Sequence, residues 1–262
     1  MSNGGPPATG RVHKIGPETC LDVGWLGNSR YVTRERRRRS SQWWRRLLAR
    51  STVWWLRVLY RGRVLPLSQS RGFDYGTPVN RYYSGKFIRA HAHEVRGRIL
   101  EFGWPDYRAY FDPARIERYD IMSLTPGGPV TMVADLQKMP QVPDASFDCI
   151  VCTQVLLLVP DPFAAAGEIH RILKPDGLLL LTLPRISLTA PRDGFPGDYW
   201  RLTEDSLRLL LAPFSVVSVS IQGNPIAAFC AANRIATEDA GRTNLDWVDP
   251  RFPLHVNVYA RK

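Results

Sequence analysis

The sequence predicts an α/β protein built on an open sheet of mostly parallel strands. Between residues 98 and 184, short apolar runs alternate with segments of helical character, a pattern typical of parallel sheets. Acidic or amide side chains stand near the ends of these runs, where ligands bind in such sheets. The length of 262 residues suits one large domain. These three observations define the expected fold class.

The first two strands are predicted over residues 98–103 and around residues 117–121. Glu101 stands near the end of the first strand, and Gly103 begins the turn that follows it. Asp120 is the acid that we expect at the end of the second strand. Asp112 and Glu117 lie close by, and they are the competing choices.

The third and fourth strands end on polar residues. Asp135 and Leu136 follow a short apolar run, and an Asp that begins a turn is the structural alternative for this position. The fourth strand is predicted over residues 146–154, so Thr153 and Gln154 fall at its carboxyl end. Its two cysteines, Cys149 and Cys152, should point to opposite faces of the strand, and we predict no metal site in this chain.

The remaining segments complete the predicted sheet. Residues 168–177 are expected to form a helix that ends at a Lys-Pro-Asp-Gly sequence. Residues 178–184 follow as the fifth strand. Thr203 is a predicted helix N-cap, with Glu204 and Asp205 favourable in the first turn. The tail is expected to contribute a last helix and antiparallel strands.

The sequence divides into three segments by composition. Residues 1–29 are predicted to be disordered, residues 30–73 form a basic extension rich in tryptophan, and residues 74–262 form the α/β domain. Residues 30–63 contain twelve arginines, no lysine and one acid, so their net charge of +11 equals that of the whole chain. The α/β domain itself is therefore close to neutral.

The basic extension has an amphipathic pattern. On a helix, four tryptophans share one broad face with leucine and valine, and arginines line an adjacent stripe. This pattern suits peripheral contact with an anionic membrane surface. Docking of the apolar face on the α/β domain or on a partner is an equal alternative. Nucleic acid is disfavoured as a partner, because the rest of the chain adds no basic surface.

The cellular location is predicted from what the sequence lacks. The sequence contains no uninterrupted run of about 18 apolar residues, the length that a membrane-spanning helix needs. The N-terminus also lacks the pattern of a secretory signal. The four cysteines are scattered, which fits buried thiols in a reducing compartment. We expect a cytoplasmic protein, with a membrane-peripheral location as an option.

Taken in order, these segments resemble a class I S-adenosylmethionine-dependent methyltransferase of the type 11-like group, over roughly residues 74–262. The Asp-Tyr-Trp-Arg-Leu-Thr sequence of residues 198–203 resembles the DYWRFT-like phrase of a subset often encoded near glycosyltransferases. The resemblance implies a Rossmann-like, seven-stranded methyltransferase sandwich, to which this chain adds a basic amphipathic N-terminal helical extension. It also implies the cofactor, S-adenosylmethionine (SAM).

The resemblance assigns roles to individual residues. The cofactor-binding positions that it implies are Glu101, Gly103, Asp120, Asp135, Leu136, Thr153 and Gln154. Asp120 would bind the ribose hydroxyls, Asp135 would accept from the adenine amine, and Leu136 would pack on the adenine ring. Trp104 and Pro105 depart from the family's glycine-rich loop and narrow the space for backbone approach.

The acceptor side is expected at residues Tyr82, Asp198, Tyr199 and Arg201. Tyr82 would close the site as a lid, Tyr199 would stack on a sugar ring, and Asp198 or Arg201 would bind hydroxyl or carboxylate groups. Packing under the helix is the alternative for Tyr82, and a packed corner is the alternative for the loop of residues 198–201. No histidine follows the fourth strand, where Leu158 stands instead, so no catalytic base is assigned.

The sequence thus favours an enzyme that methylates a hydroxyl group of a glycan or a related small molecule. The main alternative is a non-catalytic methyltransferase-like module that docks on a membrane or on a glycosyltransferase complex. The altered loop after Gly103 favours this alternative, and the presence of Asp135 and Gln154 opposes it. An RNA methyltransferase is a third option, which the neutral α/β domain disfavours.

Overall fold

The structure is a computed structural model that describes residues 47, 50–55, 58, 68, 73–74, 76–187 and 197–262. The chain divides into two units near residue 64, and each is described by itself. The predicted disorder of residues 1–29 lies outside the described residues. The domain boundary at residue 73 stays a prediction.

The described residues form one seven-stranded sheet. Its strands are β1 (Gly97–Phe102), β2 (Ile116–Ser123), β3 (Met132–Val133), β4 (Phe147–Thr153), β5 (Leu173–Pro184), β6 (Val216–Gln222) and β7 (His255–Arg261). Their order is β3-β2-β1-β4-β5-β7-β6, and β7 runs antiparallel to both of its neighbours while the other pairs are parallel. This sheet confirms the predicted Rossmann-like methyltransferase sandwich. The strand order reverses between β1 and β4, which places the expected ligand crevice at their carboxyl ends.

Helices flank the sheet. They are α1 (Val79–Ala90), α2 (Pro162–Ile172), α3 (Glu204–Leu210), α4 (Pro225–Asn233), α5 (Thr237–Ala240) and α6 (Arg242–Asp246). The N-cap predicted at Thr203 is confirmed, because its side chain accepts from Ser206 N and the Ser206 hydroxyl accepts from Thr203 N in a capping box.

Alternating side chains of the strands build two cores. On one face, Leu100, Ile150 and Leu181 pack with α2 and α3. On the other face, Ile99 and Val151 pack with Ile88 of α1. Cys149 belongs to the second face and Cys152 to the first, as predicted from the strand alternation. Burial raises the pKa of both thiols.

The connection from β1 to β2 is short for a parallel crossover, which is usually a helix. Residues 103–115 contain only two 3₁₀ turns, Arg108–Tyr110 and Pro113–Arg115. The buried side chains of Tyr107 and Phe111 join the core on the α1 face. Two aromatic rings therefore fill space beside the first strand.

The helix that was expected to end at the Lys-Pro-Asp-Gly sequence of residues 174–177 ends just before it. Helix α2 stops at Ile172, and β5 begins at Leu173, which pairs with Phe147. Lys174 Nζ then donates to Asp148 Oδ2 at 2.7 Å. Between Leu173 and Leu178 the pairing with β4 shifts register, and Asp176 has a φ of +59°, so residues 174–177 form an irregular turn within β5.

The N-terminal unit is described only in part. Residues 50–55 are helical, and Trp54 and Trp55 are 57% and 58% exposed. Most of the predicted amphipathic face lies outside the described residues. Among the residues that are described, no helix combines the length and apolar character needed to cross a bilayer.

Candidate functional site

Glu101 lies near the carboxyl end of β1, with its side chain 1% exposed. The Tyr119 hydroxyl donates to its Oε2 atom, whereas Oε1 has no hydrogen-bond partner among the described residues. Burial raises the pKa of the carboxyl group to about 7, and the charge of Asp106 adds to this rise. The Tyr119 hydrogen bond, the nearby backbone N–H of Tyr107 and the charge of Arg81 oppose it. The site therefore contains a carboxylate with unused acceptor capacity.

Gly103 begins an open turn directly after β1. Its φ is +78°, and a Cβ atom at this position would meet nothing within 4 Å. Its amide donates to Met122 O at 2.9 Å, so the turn is joined to β2. A ligand can approach the backbone here, which a side chain would hinder.

Arg81 of α1 fixes the altered loop. Its guanidinium group lies 2.6 Å from Asp106 Oδ2 and donates to the Tyr107 hydroxyl at 3.1 Å. The pKa of Tyr107 is raised, chiefly by burial. This clamp could not be predicted, because nothing in the sequence places residue 81 against residues 106–107.

Asp135 and Leu136 follow β3, as predicted. Asp135 is exposed, and its Oδ1 atom accepts from Gln137 N at 2.9 Å, which forms a turn of the kind weighed as its structural alternative. Leu136 is 3% exposed and belongs to the hydrophobic core. Asp135 thus presents a carboxylate at the sheet edge, while Leu136 lies beneath it.

Asp120 does not lie at the end of β2, contrary to the prediction. It is in the interior of the strand, three residues before Ser123, which corresponds to about 10 Å of strand. Its buried carboxylate is paired with Arg98 Nε at 2.7 Å and Arg118 Nε at 2.9 Å. Asp120 is therefore a buried carboxylate paired with two arginines, the partly buried Arg98 and the exposed Arg118, and this placement does not fit the predicted ribose-binding role.

Thr153 and Gln154 lie at the carboxyl end of β4. Thr153 pairs with Thr182 of β5, and Gln154 N donates to Thr182 O at 2.8 Å. Gln154 adopts a φ of +58°, a conformation uncommon outside glycine. Its Nε2 atom is buried without a partner among the described residues, so a second unused polar group adjoins the crevice.

A buried polar cluster of Ser84, Thr182 and His255 lies between α1 and the carboxyl end of β5. Ser84 Oγ is 2.9 Å from Thr182 Oγ1 and 3.3 Å from His255 Nε2, and all three side chains are fully buried. Burial lowers the pKa of His255 to about 3, so its imidazole is neutral. The sequence signal for this cluster was the alternation of His255 and Asn257, which places two polar side chains on one face of β7. That pattern does not show that α1 covers this face of the strand.

The expected acceptor residues have partners within the protein. Tyr82 Oη donates to Asp246 Oδ1 at 2.6 Å. Arg201 Nη2 donates to Asp198 Oδ2 at 2.8 Å, and the Asp198 side chain is 4% exposed. Tyr199 is 47% exposed, so among these residues it offers a ligand the most accessible surface.

The loop of residues 198–201 is joined to the segment after β4. Trp200 Nε1 donates to Val159 O at 2.9 Å, and Tyr199 N donates to Leu157 O at 2.8 Å. These bonds agree with the packed corner that we considered for this loop.

Six of the seven expected cofactor positions lie at or just after the carboxyl ends of β1, β3 and β4: Glu101, Gly103, Asp135, Leu136, Thr153 and Gln154. The Leu136 side chain is buried in the core. An open glycine turn lies at this edge, together with two buried polar atoms, Glu101 Oε1 and Gln154 Nε2, that have no hydrogen-bond partner in the described part of the chain. These features fit a ligand that offers hydrogen-bond donors and acceptors. A ligand with an amine and an adenosine group, as in SAM, meets this description.

Comparison with known proteins indicates a methyltransferase. Residues 115–181 match the family model described as a methyltransferase domain. The thiol S-methyltransferase TMT1B of Rattus norvegicus is 46% identical over 48 residues, which cover 18% of this chain and 20% of that protein. The match thus spans about a fifth of this relative. The family match supports the predicted methyltransferase class and its methyl donor, SAM.

Two solved structures are similar in fold. A SAM-dependent methyltransferase from Archaeoglobus fulgidus has 13% identity and a TM-score of 0.47, with 70% of this chain and 94% of that chain covered. A second SAM-dependent methyltransferase, from Mesorhizobium loti, has 19% identity and a TM-score of 0.47, with 70% and 98% covered. The fold assignment itself rests on the strand order given above.

Proposed function

We propose, from the methyltransferase domain that residues 115–181 indicate, that this chain is a SAM-dependent enzyme that methylates a hydroxyl group of a glycan or a related small molecule. The observation that carries the proposal is the carboxyl edge of β1 and β4. There, the open turn at Gly103 adjoins two buried polar side chains, Glu101 and Gln154, that each leave one atom unpartnered among the described residues. A buried polar atom without a hydrogen-bond partner destabilises the fold, unless a bound ligand supplies the missing hydrogen bond.

In this proposal, different residues bind different parts of the methyl donor. Glu101 Oε1 accepts from the amino group of the methionine part, Gly103 lets that part approach the backbone, and Asp135 accepts from the adenine amine. When bound, SAM supplies an activated methyl group on a sulfonium. The protein then mainly orients the donor and the acceptor, and this orientation is its largest contribution to the rate of methyl transfer.

The acceptor end of the proposal rests on chemistry and on resemblance. Neutral hydrogen-bonding groups, Thr153 and the buried polar cluster, lie at the carboxyl ends of β4 and β5 and at the adjoining amino end of β7. Such groups suit a hydroxyl group better than an ionised one. The phrase at residues 198–203 resembles that of the subset found near glycosyltransferases. The partly matching rat enzyme is named as a thiol S-methyltransferase, so small thiols belong in the acceptor screen.

Replacement of Asp135 by alanine should weaken donor binding without unfolding the protein. The side chain is exposed and makes its described contacts with Gln137, so the fold loses only a local turn bond. Loss of the hydrogen bond to adenine is expected to raise the Kd of S-adenosylhomocysteine (SAH) roughly ten-fold. Calorimetric titration measures this, with circular dichroism to verify folding.

Glu117→Ala is the matched control for Asp135→Ala. Glu117 is also exposed but lies at the amino end of β2, so its loss should leave the affinity for SAH unchanged. Equal affinity of the Asp135 variant and the wild type would contradict the site assignment. A folded wild-type protein that binds neither SAM nor SAH would instead favour the non-catalytic docking module.

We also propose that residues 30–63 contact an anionic membrane surface. The segment carries twelve arginines and one acid, and in its described part Trp54 and Trp55 are more than half exposed. Exposed indoles suit the interfacial region of a bilayer, while guanidinium groups meet lipid phosphates. This charge complementarity favours a lipid surface over docking on the near-neutral α/β domain.

Vesicle flotation tests this contact. The full-length protein should float with vesicles of phosphatidylcholine and phosphatidylserine at low salt, and much less with phosphatidylcholine alone. The double variant Trp54→Ala, Trp55→Ala should reduce the bound fraction several-fold, because the indoles anchor the segment, whereas Trp247→Ala should not. Binding of a short RNA without any binding to vesicles would contradict the proposal.

A further inference from the structure

Trp104 presents an exposed indole on the turn after β1, next to the open position at Gly103. The residue is 63% exposed, although tryptophan is usually highly buried. Two further apolar side chains are exposed at the same edge, Leu124 just after β2 at 52% and Val133 at the end of β3 at 48%. An apolar surface therefore lies beside the proposed donor site.

The turn that carries this indole is held in place. Trp104 N donates to Phe102 O at 3.1 Å, and Asp106 N donates to Trp104 O at 2.8 Å. Arg81 of α1 pairs with Asp106 at 2.6 Å. The ring is thus presented by a braced loop, which reduces the entropy lost when a ligand stacks on it.

The direction of the indole is set by its contact with Gly128. A Cβ atom at Gly128 would lie 3.2 Å from Cη2 of Trp104, so the ring rests against the connection between β2 and β3. Because the strand order is β3-β2-β1-β4, this contact places the ring on the β2 side of β1, which is also the side of β3 and Asp135. The ring therefore lies away from β4 and β5, where the acceptor is expected.

We propose that Trp104 is the stacking surface for the adenine ring of the methyl donor, with Asp135 at the edge of that ring. This inference rests on the proposed function and assigns a further residue to its site. A flat, apolar base with an exocyclic amine matches an indole face flanked by a carboxylate. The tryptophan that departs from the glycine-rich loop thus adds ring surface beside a turn that stays open at Gly103.

Three tryptophan variants test the stacking role: Trp104→Ala, Trp104→Phe and, as a control, Trp247→Ala, whose indole is also exposed, at 60%. The probes are SAH and 5′-methylthioadenosine, which keeps the adenosine but lacks the amino acid part. Trp104→Ala should raise the Kd of both probes roughly ten-fold or more. Trp104→Phe keeps an aromatic face and should stay within about three-fold of the wild type, and Trp247→Ala should not change either value.

The outcomes separate this inference from the proposed function. Wild-type protein that binds SAH while Trp104→Ala binds it equally well overturns the stacking role and leaves the methyltransferase proposal standing. Wild-type protein that is folded and binds neither probe overturns both. Loss of binding to methyl α-glucoside in Trp104→Ala, with SAH unaffected, would place Trp104 in the acceptor site and also overturn the inference. A parallel loss of both adenosine probes supports it.

Discussion

Replacing Glu101 by glutamine is expected to stabilise the protein and, at the same time, to weaken its binding of SAH. The carboxyl group is buried, and its pKa is raised to about 7 from an ordinary value of 4.5. A glutamine keeps the carbonyl oxygen that accepts from the Tyr119 hydroxyl, and it never has to carry a buried charge. The same change removes the charge that we propose for binding the amino group of the donor.

The stability effect depends on pH in a defined direction. Between pH 4.5 and about 7, the native protein retains the Glu101 proton that the unfolded chain has already lost, so the free energy of unfolding falls as pH rises. The advantage of Glu101→Gln should therefore be absent below about pH 4.5 and reach about 3 kcal/mol by pH 8. Urea unfolding at pH 4.5 and pH 8 measures both ends of this window.

The binding effect has its own measurement. Loss of a charge-assisted hydrogen bond should raise the Kd of SAH by about ten-fold or more. Because a bound amine favours the ionised carboxylate, the wild type should also release a fraction of a proton on binding SAH at pH 7. Calorimetry in buffers of different ionisation enthalpy detects this release, which Glu101→Gln should abolish. A variant that is less stable at pH 8, or that binds SAH normally, would refute the corresponding half of this prediction.

Strand identities could be predicted from the sequence because each depended on a local pattern. Cys149 and Cys152 face opposite sides of β4 as period-two alternation requires. The N-cap of α3 at Thr203 could be predicted because an N-cap depends only on the first few residues of its helix. The carboxyl-edge positions of Gly103 and Gln154 followed from the same local reasoning.

Asp120 shows why the rest could not be predicted. Its sequence context suits the end of a strand, but β2 continues for three more residues, and the buried carboxylate compensates Arg98 from β1. Charge pairing across strands depends on register, which a single strand's sequence does not contain. The clamp between Arg81 and Asp106 is a contact of the same kind, between a helix and a loop.

Two glycines with similar φ angles should differ in what alanine costs them: Gly97→Ala should mainly lower stability, and Gly103→Ala should mainly weaken donor binding. Gly97 has a φ of +71°, and a Cβ atom there would lie 2.5 Å from the carboxyl group of Asp148. That carboxylate accepts from Arg98 N at 2.8 Å and from Lys174 Nζ at 2.7 Å. Gly97→Ala therefore combines backbone strain with a clash that displaces a bonded side chain, and should cost about 3 kcal/mol or more.

Gly103→Ala also places a side chain at a positive φ, of +78°, but it brings no clash, since the space around Gly103 is open. It should cost only about 1–2 kcal/mol. The new methyl group would, however, project into the space that we assign to the methionine part of the donor, so SAH affinity should fall at least ten-fold, a loss comparable to that of a direct contact. Gly97 begins β1 at the opposite edge of the sheet, so the folded fraction of Gly97→Ala should bind SAH like the wild type.

The paired measurement separates the two uses of glycine in this chain. Urea unfolding should rank Gly97→Ala well below Gly103→Ala, and calorimetry with SAH should rank them in the reverse order. Equal losses of stability would show that Asp148 moves aside at little cost. Normal SAH binding by Gly103→Ala would show that the donor does not approach this turn. Because both variants place a side chain at a positive φ, the difference between them reflects what surrounds each glycine: an ion-paired carboxylate at one end of β1 and a proposed ligand at the other.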